Sequence, residues 1–117
     1  MLLDRLKSHA LALPQTTVVA QWGCLVFKVA GKIFLVLPLD GQLLEGVGFK
    51  VRPEEFDALT DIDGIGQAPY FAKRHWVKLS DPSALPEPEL LRRIRDSYAL
   101  VAAGLPKKTR QSLGLGT

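Results

Sequence analysis

The segment from Thr16 to Leu37 leaves this chain few folds to choose from. It reads TTVVAQW, CLVFKV and KIFLVL, three β-branched and aromatic runs separated by very short joins. Strands joined so tightly have no room for a crossover and must pair antiparallel. CLVFKV, Ala30-Gly31 and KIFLVL form a hairpin with a glycine in its turn. Its register has two solutions. A two-residue loop sets Phe27 opposite Phe34, and a three-residue loop sets Phe27 opposite Leu35. Pro38 to Gly41 turns the chain again into LLEGVGFKV, a strand that Gly46 and Gly48 should weaken or bulge.

Helical periodicity frames this sheet. Leu2, Leu3, Leu6, Ala10 and Leu13 fall on one side of a helix that ends near Pro14. Pro53 opens PEEFDALT, with proline at the first helical position and acids in the first turn. Asp61 to Pro69 reads as a loop, HWVKLS as a strand, and Asp81 to Pro88 as a proline-rich connector. The last helix carries Leu90, Leu91, Ile94, Tyr98, Val101, Ala102 and Leu105 on one face, with Ser97 on its flank. Gly104 and Pro106 stop it. The expected order is α-β-β-β-β-α-β-α. It describes an α+β fold in two layers, a mainly antiparallel sheet with helices on one face. At 117 residues one domain, 1–117, accounts for the whole chain, with 110–117 as a frayed tail.

The net charge of +3 is mild, but its distribution is uneven. Residues 40–63 carry seven acids against Lys50 and Arg52. Residues 64–117 carry nine bases against four acids. Cys24, the sole cysteine, cannot form an intrachain disulfide and is expected to be buried and inert. With His9 and His75 it cannot complete a zinc cluster. Asp61-Ile62-Asp63-Gly64 lacks the remaining ligands of a calcium loop, and no nucleotide-binding glycine pattern occurs. No cofactor or metal is expected. Ser97 and Tyr98 do not make a nucleophile–base pair, so an enzyme ranks last. No apolar run approaches a membrane span and no signal peptide is seen, which points to a cytoplasmic monomer.

Four stretches together resemble the MmcQ/YjbR family. They are Trp22-Gly23 with VFKVAGKIF, GFKVRPEEFDAL, APYFAKRHWVKL and SYALVAAGLPKK, in that order along most of the chain from Trp22 to Lys108. The resemblance implies a compact α+β fold of the kind compared with secretion chaperones and the frataxin-like CyaY fold. It also implies DNA binding through a double-wing motif.

The residues themselves offer a matching surface. Lys28 and Lys32 bracket the hairpin turn, where a wing would need cations. Lys73, Arg74 and Lys78 flank Trp76, with Tyr70 and Phe71 upstream, so cations could meet phosphates while a ring stacks on a base. A strand position for Trp76 would instead bury it. Lys107, Lys108 and Arg110 follow the last helix and could meet a phosphate or cap the helix end. The expected function is weak, largely sequence-independent DNA binding through Lys28, Lys32, Lys73, Arg74, Trp76, Lys107, Lys108 and Arg110. The alternative is a protein-interaction or chaperone-like module, in which the sheet face takes a partner's segment and the acidic Asp40–Asp63 side selects basic partners. A continuous positive face would favour the first, and an exposed apolar groove the second.

Overall fold

A computed structural model describes residues 1–69 and 71–114 of the chain. Helix α1 (Leu2–Leu11) leads into strands β1 (Thr16–Gln21), β2 (Cys24–Val29) and β3 (Lys32–Asp40). The expected fourth strand is split at Glu45-Gly46 into β4 (Leu43–Leu44) and β5 (Val47–Lys50). Helix α2 (Pro53–Thr60) follows. The segment expected to be a loop contains a short strand, β6 (Ile65–Gln67), paired with β7 (Trp76–Leu79). Helix α3 spans Glu87–Ala103, and a further helix, α4 (Lys107–Ser112), takes in residues 110–112 of the tail expected to fray, whose residues 115–117 lie outside the described residues. The strands make one antiparallel sheet in the order β1-β2-β3-β5-β7-β6, with β4 against β3. This is the two-layer α+β fold.

Two tight turns build the first three strands. Trp22-Gly23 and Ala30-Gly31 each have positive φ at both central residues, 56° and 71°, then 49° and 77°. That is the backbone of a type I′ turn, whose twist matches the flanking strands. The hairpin register combines both expectations. Val29 pairs with Lys32 across the two-residue turn, yet Phe27 faces Leu35. A bulge between Phe27 and Lys28 accommodates Phe34 as an extra residue of β3. Both Phe34 and Leu35 are thereby fully buried.

Helix α3 lies across β3 and β5 with Leu90, Ile94, Tyr98 and Val101 buried. The Tyr98 ring meets Phe34 edge-on at 5.2 Å, and its hydroxyl donates to the Pro14 carbonyl at 2.5 Å. Ser97 is not on the flank, as its helical position suggested, but fully buried. Its hydroxyl donates to the Phe34 carbonyl at 2.6 Å and accepts the Lys50 amide N–H at 2.8 Å. Direct β3–β5 pairing stops at Leu35 and Phe49. The serine therefore bridges the two strands where the bulge would leave both backbone groups unpaired. Ser97→Ala should lower unfolding free energy by about 1–3 kcal/mol, because it orphans a buried donor and acceptor. Urea unfolding checks this, with circular dichroism showing a retained fold.

Arg93 ties α3 to α2. Its guanidinium bonds Glu55 at 2.7 Å and Glu89 at 3.1 Å. Burial opposes the Glu55 charge, but hydrogen bonding and charge from Arg93, helped by Arg52, hold its carboxyl below its ordinary value. The Arg92 hydrogen bond, with Arg93 beyond it, does the same for Glu89. A carboxylate depressed in the folded state contributes stability that is present above its unfolded value and is lost as pH falls through the folded one. Stability should thus decline as pH drops below about 4.5, the ordinary glutamate value. Urea midpoints between pH 7 and pH 3 should show this decline, with a shallower slope for Glu55→Gln.

Candidate binding groove on the open sheet face

Strand alternation gives the sheet two different faces. Phe27, Leu35, Leu37, Phe49, Val77 and Leu79 point to the helices and are fully buried. Their neighbours Cys24, Ile33, Val36, Pro38, Gly48 and Lys78 point the other way. These six, with Trp22, Ala68, Pro69 and Phe71, line a cleft of about 710 Å³. Its size is that of a small-ligand or peptide-side-chain site.

Local sequence creates the cleft. Gly48 contributes no side chain to the floor between Val36 and Lys78. A Cβ placed there would meet Val36 only at ordinary contact distance, 3.7 Å. Gly46 is more constrained, since a Cβ would come within 2.6 Å of the Leu79 carbonyl oxygen. One wall is the 68–75 excursion between β6 and β7. Phe71 stacks on Trp76 with ring centroids 4.2 Å apart. Gln67 pins the excursion by donating to the Ala68 carbonyl at 2.7 Å and accepting the Arg74 N–H at 2.9 Å. The Arg74 guanidinium bonds Asp57 of α2 at 3.0 Å and lies 5.3 Å from the Phe56 ring centre. The other wall is the β1–β2 turn, where Trp22 stands 75% exposed at positive φ. A bulky residue in the left-handed region costs folding energy, and this exposed ring recovers none of it by burial.

The residues singled out in the sequence separate in space. Lys28 lies on the open face and Lys32 at the start of β3 beside the turn. Lys73 is exposed on the 68–75 excursion, while Arg74 is engaged by Asp57. Trp76, expected to offer a ring to a base, is only 6% exposed and covered by Phe71, so it has no free face for stacking. Lys107 and Lys108 are exposed at the start of α4 beyond α3, on the helical layer. Arg110 flanks a second, small cleft with Pro14, Tyr98 and Ala102. Its Nε is enclosed and has no hydrogen-bond partner among the described residues. Tyr70 lies outside the described residues.

The groove itself was not assembled by sequence reasoning. Its signal was KIFLVLPL, apolar at nearly every position, where a strand wetted on one face would alternate. Cys24, expected to be buried, is partly exposed and lines the groove, with its thiol 3.5 Å from the Trp22 carbonyl. It faces the open side because the two-residue turn fixes the phase of β2. Cys24 should therefore react with a maleimide in the native protein at a rate well above that of global unfolding. Mass-spectrometric labelling over time checks this, with urea-unfolded protein as the upper limit.

Among the described residues no helix is long and apolar enough to cross a membrane, and no three His, Cys, Asp or Glu side chains converge as a metal site. In fold, the chain is similar to a Deinococcus radiodurans protein, DR2400, that carries a DUF419 domain. The two share 27% identity with a TM-score of 0.85 over 96% of this chain and 87% of that one. It is also similar in fold to a Pseudomonas syringae protein at 22% identity and a TM-score of 0.65, over 83% of this chain and 96% of that one. No curated protein matches it. The YjbR family model matches residues 11–100, from the end of α1 through most of α3. With the fold and three-quarters of the sequence in agreement, this chain belongs to the YjbR family.

Proposed function

We propose that this domain is a protein-interaction module whose open-face groove receives an extended apolar segment carrying an acidic group. The observation that carries this reading is the cleft between Trp22 and Phe71, apolar along its walls with Lys78 at its floor. Strand alternation adds Lys28 and Lys50 to the same face. Among the described residues Asp40 is the only acid in any strand, so a single carboxylate at the end of β3 stands against those lysines. An apolar segment fills the cleft, and a carboxylate beside it meets the lysines. The preference for an acidic partner reverses the basic one suggested by Asp40–Asp63, whose acids lie largely on and after α2, where Asp57 is already engaged by Arg74 and Glu55 by Arg93. A binding role also accords with the Ser97 and Tyr98 hydroxyls, both of which are committed to backbone partners. The free Cys24 thiol suits a reducing compartment such as the cytoplasm.

Duplex DNA binding is the second reading. Lys28, Lys32, Lys73, Lys107 and Lys108 form no ion pair among the described residues. They occupy both layers of the domain rather than one face, which weakens the case for a single duplex footprint.

One selection distinguishes the two. A random peptide library is panned against the native protein, with Gly48→Leu as the counter-target. Leucine at position 48 fills the cleft from an unstrained backbone. Selected peptides should combine apolar residues with Asp or Glu and bind Gly48→Leu about tenfold more weakly, or worse, a loss of about 1.4 kcal/mol. Equal binding to both proteins, or no enrichment, would remove the groove reading. The second reading takes its place if the protein binds duplex DNA at low salt and lysine removal weakens the salt dependence. In Lys28→Ala/Lys32→Ala or Lys107→Ala/Lys108→Ala, each phosphate left without its lysine should flatten the salt slope by about 0.9.

A further inference from the structure

The two outer edges of the sheet are unlike. At one, β6 has three residues. At the other, β1 has six, TTVVAQ, with an unbroken register against β2 and no charged residue, proline or bulge. Those are the devices that normally keep an edge from pairing with another chain. Among the described residues, four of the seven large exposed apolar side chains also lie in the stretch from Leu11 to Trp22: Leu11, Val18 at 36%, Val19 at 40%, and Trp22.

The turn decides which backbone groups are free. Gln21 and Cys24 close the two-residue Trp22-Gly23 turn as a hydrogen-bonded pair, so Thr17, Val19 and Gln21 bond toward β2. Thr16, Val18 and Ala20 then aim their N–H and C=O groups outward. An antiparallel two-fold partner must pair residues of the same parity, so that helices stay on one side of the joined sheet. Pairing Val18 with Val18, and Thr16 with Ala20, satisfies that rule and matches all three outward residues to each other. It sets no like charges opposite one another.

We propose that two copies of this chain pair along β1, antiparallel about a two-fold axis at Val18, to form one continuous sheet. The pairing replaces the monomer expected from the sequence and is independent of the groove. The helices of both copies lie on one side and both grooves open on the other.

The test uses the full chain. Sedimentation or light scattering from micromolar to near-millimolar concentration should show a monomer–dimer equilibrium. Val18→Lys sets like charges opposite each other across the axis and should raise the dissociation constant about tenfold or more. A cross-link tests the register, in case the lysine variant folds poorly. In a Cys24→Ser background, Val18→Cys brings two Cα atoms to roughly 5.5 Å. A disulfide accepts about 4.4–6.8 Å. Val18→Cys should form a disulfide-linked pair under mild oxidation, faster than Val19→Cys or the exposed Leu43→Cys. A monomer throughout, or Val18→Cys linking no faster than Leu43→Cys, would overturn the proposal.

Discussion

One serine hydroxyl holds the centre of this domain together. The bulge at Phe34 turns two large side chains, Phe34 and Leu35, into the helical layer. The bulge also ends direct pairing between β3 and β5. Without a third group, a carbonyl and an amide would be buried unsatisfied, a loss of the same order as the stability of a small domain allows. Ser97 supplies that group from α3. The helix is thus fixed to the sheet by a polar contact as well as by its apolar face. Tyr98, the next residue, carries the same helix to Phe34 and to the Pro14 carbonyl at the exit of α1.

That anchoring lets the other sheet face remain open. Helices cover one side, so among the described residues the second side is covered chiefly by Ala68, Pro69 and Phe71 of the excursion between β6 and β7. Phe71 closes over Trp76, and Arg74 and Gln67 hold the excursion against α2 and β6. Gly48 keeps the floor low. A strand that is apolar on both faces therefore sits under a partial cover, and the uncovered remainder is the groove. Exposed apolar surface rimmed by cations is the arrangement a binding face needs.

Charge in this chain is mostly committed to structure. Arg74, Arg92 and Arg93, which looked free in the basic C-terminal half, pair with Asp57, Glu89, Asp96 and Glu55. The acidic middle and the basic end partly neutralise each other across α2, α3 and the 68–75 excursion. The exposed pairs of Arg74 and Arg92 contribute little stability singly, unlike the half-buried Arg93–Glu55 pair. All of these pairs remove cations from the surface available to phosphate, leaving chiefly lysines on the sheet, on the excursion and at α4.

The sequence by itself determined the antiparallel core, the faces of α1 and α3, and the helix at Pro53. Those follow from period, turn length and proline position, all local properties. It also carried the ordered motifs that mark the YjbR family. The strand β6, the helix α4, the burial of Ser97 and the exposure of Cys24 were decided only in three dimensions. A three-residue strand has too little pattern to detect and exists because β7 offers it an edge. Ser97 reads as a flank residue until the β3 bulge creates two unpaired groups within its reach. Trp76 and Arg74 sit among cations and aromatics in sequence, yet one packs under Phe71 and the other reaches Asp57. The groove draws its lining from residues 22 to 78, and no local window holds it, because pairing of distant strands rather than neighbouring residues brings its walls together.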